Sequence, residues 1–260
     1  MLSIMSSLMM KERTRLWKCV GFYIIVKRET SGYKVQTMKR LKVNHYVVGM
    51  VKTNCYIAFN DETKECIIVD PGASPRQLAE KIRQDGLTPV AILLTHGHFD
   101  HAGAAETLAK EFGVSIYAHE AEADTLKEPQ KNVSWMVGTK ESYKADVYVK
   151  DGEELNLAGF SIRVLHTPGH TEGGCCYYLP EEAIVFSGDT LFAQSVGRTD
   201  FPGGSMSQLV RSIKDKLLVL TERKSEHIDA LGQAKTDITV YPGHNEFTTI
   251  ETERKYNPYL

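Results

Sequence analysis

Between Thr95 and His101 the chain reads Thr-His-Gly-His-Phe-Asp-His, three imidazoles and one carboxylate in close succession. Packing does not require such a density. Neutral imidazole ligates borderline cations such as zinc or iron well, and a His-x-His spacing on a loop lets two rings turn toward one ion. Gly97 is expected to let the backbone turn tightly between them. Three further segments share the same design: Thr167-Pro168-Gly169-His170, Ser187-Gly188-Asp189-Thr190 and Tyr241-Pro242-Gly243-His244. In each, an apolar run stops and a glycine sits beside a His or Asp, at the kind of strand end where loops on a rigid scaffold gather reactive groups. Together these ends point to one shared site with His96, His98, Asp100, His101, His170, Asp189 and His244 as candidate metal ligands. Such a set of neutral imidazoles and two carboxylates leaves two divalent cations with net positive charge. That charge lowers the pKa of a shared water toward neutrality, so hydroxide becomes available as a nucleophile.

The elements that must position these groups can be read from periodicity. Strands are expected at 41–48, 55–59 and 66–69, separated by Asn60-Asp61 and Pro71-Gly72. Ser74 as N-cap and Pro75 in the first turn predict a helix over 75–85, with Leu78, Ala79 and Ile82 inward and Gly86 beyond its end. The apolar run 89–94 predicts a buried strand that delivers Thr95-His96 at its C-terminal end. Helices near 104–112 and 205–220, and strands near 114–118, 146–150, 160–165, 176–179, 183–187 and 238–241, complete a pattern of two packed sheets with helices outside. Residues 221–235 are polar and read as a surface insertion. Residues 1–37, Met/Ser-rich and then basic, do not resemble the rest of the chain; they read as an N-terminal extension, poorly ordered or upstream of a start at Met38, with the functional domain over 38–260.

The order His96-x-His98-x-Asp100-His101, then His170, Asp189 and His244, resembles the metal motif of the metallo-β-lactamase superfamily over about Met38 to Leu260. The resemblance implies an α/β fold, an αββα four-layer sandwich of mixed sheets with outer helices and the site at one edge. It implies two divalent ions, zinc foremost with iron or manganese as alternatives. His96, His98 and His170 would hold the first ion, Asp100, His101 and His244 the second, and Asp189 would bridge them. Asp100 would act catalytically by orienting the bridging hydroxide.

Family patterns narrow the substrate. β-Lactamases of the superfamily usually carry Cys or Ser where this chain has Asp189, and RNA-processing members carry a large insertion that the interval from Asp189 to His244 has no room for. The stretch Gly197-Arg198-Thr199-Asp200-Phe201-Pro202-Gly203-Gly204 is similar to one in glyoxalase II-like hydrolases and in persulfide dioxygenases, which implies thiol-conjugate chemistry. Arg198 is expected either to hold the carboxylate of a peptide thiol such as glutathione or to pair with Asp200; Tyr143 and Lys144 are further candidate substrate contacts. The ending Thr248 to Leu260 looks like the compact glyoxalase II-like proteins, without the helical domain that supplies glutathione contacts in the full-length ones. The expected activity is metal-dependent hydrolysis of thioesters such as S-lactoylglutathione, whose thiolate leaves with little acid assistance. The rivals are a mononuclear iron persulfide dioxygenase built on His98, His170 and Asp189, and a non-catalytic binding module with structural metals.

The rest of the sequence sets limits. Lys+Arg 31 against Asp+Glu 33 gives a net charge of -2, so no excess of positive charge holds a polyanion; a small-molecule partner is expected rather than nucleic acid. No apolar run approaches the roughly 20 residues of a membrane span, and no cleavage signature comes after the short run from Trp17 to Val26. Cys19, Cys55, Cys66, Cys175 and Cys176 show no framework spacing and read as reduced thiols of a cytoplasmic protein, with Cys175 and Cys176 serving packing. His45, His119 and His227 read as isolated surface or turn histidines, and His166 as support for the site.

Overall fold

The computed structural model describes residues 41–222 and 237–260, together with the backbone of four strands nearer the N-terminus. Those four, β1 (Ser7–Met10), β2 (Thr14–Cys19), β3 (Phe22–Glu29) and β4 (Gly32–Thr37), pair in order as an antiparallel meander. The extension read from residues 1–37 thus has strand backbone, while the insertion at 221–235, with His227, lies mostly outside the described residues.

From Leu41 onward two mixed sheets form. The first contains β5 (Leu41–Val48), β6 (Thr53–Asn60), β7 (Glu65–Val69), β8 (Thr88–Leu93), β9 (Ser115–His119) and β10 (Val147–Val149), in the order β10-β9-β8-β7-β6-β5. The second contains β11 (Glu154–Leu157), β12 (Phe160–His166), β13 (Cys175–Leu179), β14 (Ile184–Gly188), β17 (Thr239–Pro242) and β18 (Thr248–Thr249), in the order β11-β12-β13-β14-β17-β18. Between β14 and β17 lies a small ribbon, β15 (Leu191–Phe192) and β16 (Ser195–Val196). Within the first sheet β7, β8, β9 and β10 run parallel, which is why their sequences read as apolar runs.

Alternate residues of the central strands serve two different cores. On β6, Tyr56 and Ala58 face the inter-sheet core, where Phe160, Ile162, Tyr177 and Phe186 of the second sheet meet them. Cys55, Ile57 and Phe59 face outward onto α1 (Pro75–Gln84) and α3 (Ala105–Phe112). On the far side Cys176, Tyr178 and Val185 pack under α5 (Met206–Ser212) and α6 (Ile250–Tyr256). Two cores of helix on sheet and one of sheet on sheet make the four layers of an αββα sandwich. Among the described residues no helix is long and apolar enough to cross a membrane.

Several local expectations change. Ser74 sits at φ 58 without capping α1 through its side chain, so Pro75 and the buried face of Leu78, Ala79 and Ile82 define that helix instead. The helix expected over 205–220 is not uniform. After α5 it widens into a π-helical stretch, Ile213–Leu217, and then tightens to 3-10 geometry over Leu218–Glu222. The short strand β11 is not among the expected strands; its Glu154-Leu155-Asn156-Leu157 alternation puts both leucines on the inter-sheet core while the strand pairs with β12 at the edge of its sheet.

Candidate metal centre

The candidate ligands converge from the C-terminal ends of parallel strands. β8 ends at Leu93 and leads into His96 and His98, and the one-turn helix α2 (Phe99–Ala102) carries Asp100 and His101. β12 leads to His170, β14 to Asp189 and β17 to His244. Two glycines allow the close approach. Gly97 does not adopt a left-handed turn; a Cβ there would lie 2.9 Å from the backbone nitrogen of Leu126, so its role is to let α4 (Ala123–Lys127) pack against the loop. A Cβ on Gly243 would lie 2.2 Å from Asp189 Oδ1 and 2.7 Å from His101 Cε1, inside the site itself.

The rings are held in defined tautomers by groups outside the cluster. Asp70, at the end of β7, accepts hydrogen bonds from Thr95 N (2.8 Å) and Thr95 Oγ1 (2.6 Å). Because the Thr95 hydroxyl proton is committed to Asp70, that oxygen accepts from His96 Nδ1–H at 3.2 Å, which leaves His96 Nε2 with a free lone pair. Asp70 Oδ2 also lies 3.0 Å from His101 Nδ1, turning His101 Nε2 inward. His170 Nδ1 donates to the carbonyl of Arg198 at 2.7 Å, so its Nε2 is the free nitrogen. His96 and His170 present a lone pair because a hydrogen-bond partner has taken the other nitrogen, as ligating histidines generally require, and the Asp70 carboxylate beside Nδ1 orients His101; His98 Nε2 is buried without a hydrogen-bond partner among the described residues.

Three nitrogens then meet: His98 Nδ1 is 3.1 Å from His96 Nε2 and 3.0 Å from His170 Nε2. Ligands at zinc distances around a tetrahedral ion are separated by about 3.3 Å. Beside them Asp100 Oδ2 is 3.2 Å from His244 Nε2 and 3.4 Å from His101 Nε2. Asp189 stands between the two groups, its Oδ2 3.5 Å from His170 Nε2 and 3.6 Å from His244 Nε2, its Oδ1 3.4 Å from His101 Nε2. His96, His101 and Asp189 form a third, overlapping group with all ligand atoms within 4.8 Å. Two buried atoms facing this space, His101 Nε2 and Asp189 Oδ1, have no hydrogen-bond partner among the described residues. A buried polar atom without a partner costs stability unless something satisfies it. Donor type, spacing and orphaned atoms all fit divalent cations.

Protonation agrees. Burial, reinforced by the neighbouring imidazoles, drives His96 well below the ordinary value and His98 to about 3, and it also lowers His170. These rings are therefore neutral at physiological pH, the form that ligates. Burial pushes Asp189 up, but His101, His170 and His244 overrule it and leave the carboxyl at about 2. Burial likewise opposes ionisation of Asp100, and the surrounding imidazoles again prevail and lower it. At His101 the contest runs the other way: burial lowers it, yet Asp100, Asp70 and Asp189 raise it well above the ordinary range. That concentration of carboxylates calls for positive charge.

The other sequence-predicted contacts separate. Arg198 forms a bidentate pair with Asp200 (2.7 and 2.6 Å) and lies 3.9 Å over the Phe201 ring, which in turn meets His98 edge-on at 5.5 Å. Tyr143 is half-buried and lines a cleft beside Asp100, whereas Lys144 is exposed and takes no part in that lining. His45 is exposed on β5 and stacks on Tyr56. His119, expected alone at the surface or in a turn, does stand at the turn into Glu120–Glu122, yet it is buried and its ring stacks on His166 at 3.9 Å. His166 uses Nε2 on the carbonyl of Glu172 and contacts that stacked partner rather than a candidate ligand. Cys175 and Cys176 point to opposite faces of β13, and burial raises both thiols, Cys176 to about 11, as packing residues should behave.

Sequence reasoning missed the residues that fasten the loops together. Glu122 is fully buried and accepts from Gly97 N at 2.8 Å and from Thr171 Oγ1 at 3.0 Å. One carboxylate thus ties the His96–His98 loop to the His170 loop. Burial pushes it up to about 7 although hydrogen bonds from Gly97, Thr171, Gly173 and Thr125 oppose the rise. Thr53 Oγ1 donates to Asp100 Oδ2 at 2.8 Å, and Asn54 and Tyr56 both donate to the carbonyl of Pro242, fixing the turn that carries His244. A Glu in a short helical stretch looks solvent-facing in sequence; only its spatial neighbours reveal it. Asp70 did carry a signal, since Val69-Asp70-Pro71-Gly72 places a carboxylate at a strand end like the ligands themselves.

The profile of the metallo-beta-lactamase superfamily matches residues 48–244. The chain is 36% identical over 222 residues to "Probable metallo-hydrolase YqgX" of Bacillus subtilis, a match covering 85% of this chain and 98% of that protein. It is also 36% identical to the hydroxyacylglutathione hydrolase GloC of Haemophilus influenzae, over 82% of this chain and 95% of the relative. Among solved structures, the BLEG-1 B3 metallo-beta-lactamase superposes with a TM-score of 0.75 at 37% identity, covering 84% of this chain and 99% of that one. TTHA1623 in a di-iron-bound form gives a TM-score of 0.68 at 34% identity, covering 84% and 100%.

Proposed function

The chain belongs to the metallo-beta-lactamase superfamily, and on that premise we propose that it hydrolyses thioesters of small thiol conjugates at a dinuclear metal centre. His96, His98 and His170 would hold one ion, Asp100, His101 and His244 the other, with Asp189 shared and zinc the favoured metal. The observation that carries this reading is Asp189, whose two oxygens face both groups of nitrogens. The second group, Asp100, His101 and His244, supplies the ligand types a further ion would use.

Two cations in this position would supply Lewis acidity and a water of lowered pKa. The protein's own groups do the rest. Asp100, fixed by the hydroxyl of Thr53, presents a carboxylate able to orient the attacking water and accept its proton. Asp70 and the Arg198 carbonyl keep the rings from rotating, so no reorganisation is needed when charge develops at the substrate carbonyl. The departing thiolate is a weak base, the free cysteine thiol ionising at about 8.5, and it leaves without an acid placed to protonate it. The name of the GloC relative supports hydroxyacyl thioesters as first substrates to try.

Elemental analysis of protein purified without added metal, with turnover of S-lactoylglutathione by the wild type and Asp100→Ala, tests the proposal. Two ions per chain and a large loss in the variant are expected. One iron per chain with oxygen uptake on a persulfide would replace this reading with the dioxygenase, and equal rates in the two proteins would end it. Nitrocefin serves as the control substrate, given the similarity to BLEG-1.

A further inference from the structure

A cleft of about 470 Å³ opens beside Asp100, between the tip of the β5–β6 hairpin and the segment after α4. Its walls are Met50, Val51, Ala73, Phe99, Val137 and Tyr143. The rim carries more apolar surface than a soluble protein usually leaves bare: Met50 is 77% exposed, Val51 44%, Trp135 48% and Met136 51%. The first two sit on the hairpin and the others on the short 3-10 turn Ser134–Val137, which contributes Val137 to the cleft. Large apolar side chains gathered on two loops around a cleft mark a surface kept for a ligand.

The charge of the cleft is equally specific. Its lining contains no Lys, Arg or His, and its charged members are Asp100 and Glu141. Tyr143 adds no anion, because burial holds its phenol up at about 12. An anionic substituent placed here would find no cationic side chain in the lining to pair with. The guanidinium of Arg198 lies outside this lining: it is paired with Asp200 and sits over Phe201, whose ring meets His98 edge-on, while the Arg198 backbone carbonyl holds His170. The two arms of a thioester therefore meet different surroundings: an apolar wall on the Asp100 side, and the Arg198–Asp200 pair over Phe201 on the side of His98 and His170.

We propose that this cleft is the acyl pocket and that it selects thioesters with an uncharged apolar acyl chain, while the thiol arm leaves toward Arg198. The assignment rests on the thioesterase reading above and adds to it the chemical class of the acyl group. A short hydroxylated acyl group such as lactoyl leaves most of the cleft unfilled.

The test uses N-acetylcysteamine thioesters, whose thiol is neutral and constant, with saturated acyl chains from about two to about eight carbons. Burying each methylene should raise kcat/KM by about two- to fourfold. Val51→Asp and, separately, Met50→Ser should flatten that dependence; both residues are exposed on a hairpin tip, so neither change threatens folding. Equilibrium binding of the matching non-hydrolysable N-alkyl amides is measured in parallel. A kcat/KM that is flat or falls with chain length overturns the proposal, as does an unaltered slope in both variants. If no thioester is turned over but amide binding tightens with length, the thioesterase reading fails and the apolar pocket stands. If amide binding is also flat, both fail.

Discussion

The metal centre and the cleft beside it are built by opposite means. In the centre His96, His101 and His170 each have an outer nitrogen engaged by another group, and Asp70, Thr95 and Glu122 that lock the loops are themselves buried. In the cleft, Met50 and Val51 stand exposed on the hairpin, and Trp135 and Met136 are exposed on the turn that contributes Val137 to it. Geometry that must be right to a fraction of an ångström before substrate arrives is set by hydrogen bonds from rigid strands. Shape that need only exclude water around an acyl chain is left to apolar side chains that close upon contact. The difference predicts where substitutions act: in the centre on metal content and kcat, at the periphery on KM.

The strongest way to break that division is Asp189→Ala. It removes the one carboxylate facing both sets of nitrogens and leaves His101 with Asp100 as its remaining inward carboxylate. Metal content should fall from two ions to one or none, and activity by about a thousandfold or more. Retention of both ions with normal turnover would mean that Asp189 is not shared. Glu122→Gln is next in size. An amide of the same shape keeps one acceptor but turns an NH2 group toward donors from the two loops, so metal affinity should drop about ten- to a hundredfold, the usual effect of disturbing an outer partner. A competition titration with a chelating dye reads it. If Glu122 served only to fill space, Gln would bind metal as tightly as the wild type.

Legibility in the sequence divides along the same line. The convergence of the seven candidate ligands was legible because His and Asp at strand ends, next to glycines, are costly choices that packing does not make. The sheets were legible because the runs 66–69 and 89–94 feed two cores and so are apolar on both faces. Glu122 was not, because a carboxylate accepting from Gly97 and Thr171 has partners 25 and 49 residues away. His119 was misjudged for a similar reason: its cover is His166, supplied by the other sheet. The cleft left a mark only at Tyr143, since Met50, Val51 and Val137 in loops look the same whether they line a pocket or fill a gap.

Arg198 sharpens the comparison at smaller amplitude. Its pair with Asp200 is exposed, with side chains 55% and 66% accessible, so little stability depends on it. Arg198→Ala should raise KM for glutathione thioesters by about tenfold or less while kcat stays within about twofold, because the carbonyl that orients His170 belongs to the backbone and survives. A matching fall in kcat would place Arg198 in the centre instead of at its periphery. N-acetylcysteamine thioesters, lacking the carboxylates, should show no change in KM.

The smallest expected effect concerns stability and comes from the stacked pair outside both regions. Burial, then the adjacent His166 ring, pushes His119 down from 6.5 to about 4, while Glu120 and Asp151 oppose this less effectively. Between those values the unfolded chain binds more protons at this position than the folded one, so acidification through that window favours unfolding and stability returns as pH rises. His119→Phe keeps a flat ring against His166 but cannot titrate. In protein stripped of metal, urea unfolding at about pH 7 and again at about pH 5 isolates the effect, because any packing penalty of the new ring enters both measurements and cancels. The wild type should lose about 1–2 kcal/mol more than the variant over that interval, the full linkage value being reduced for the partly solvated ring. Equal losses would show that His119 is as free to ionise when folded as when unfolded, and that the stacking with His166 does not bury it electrostatically.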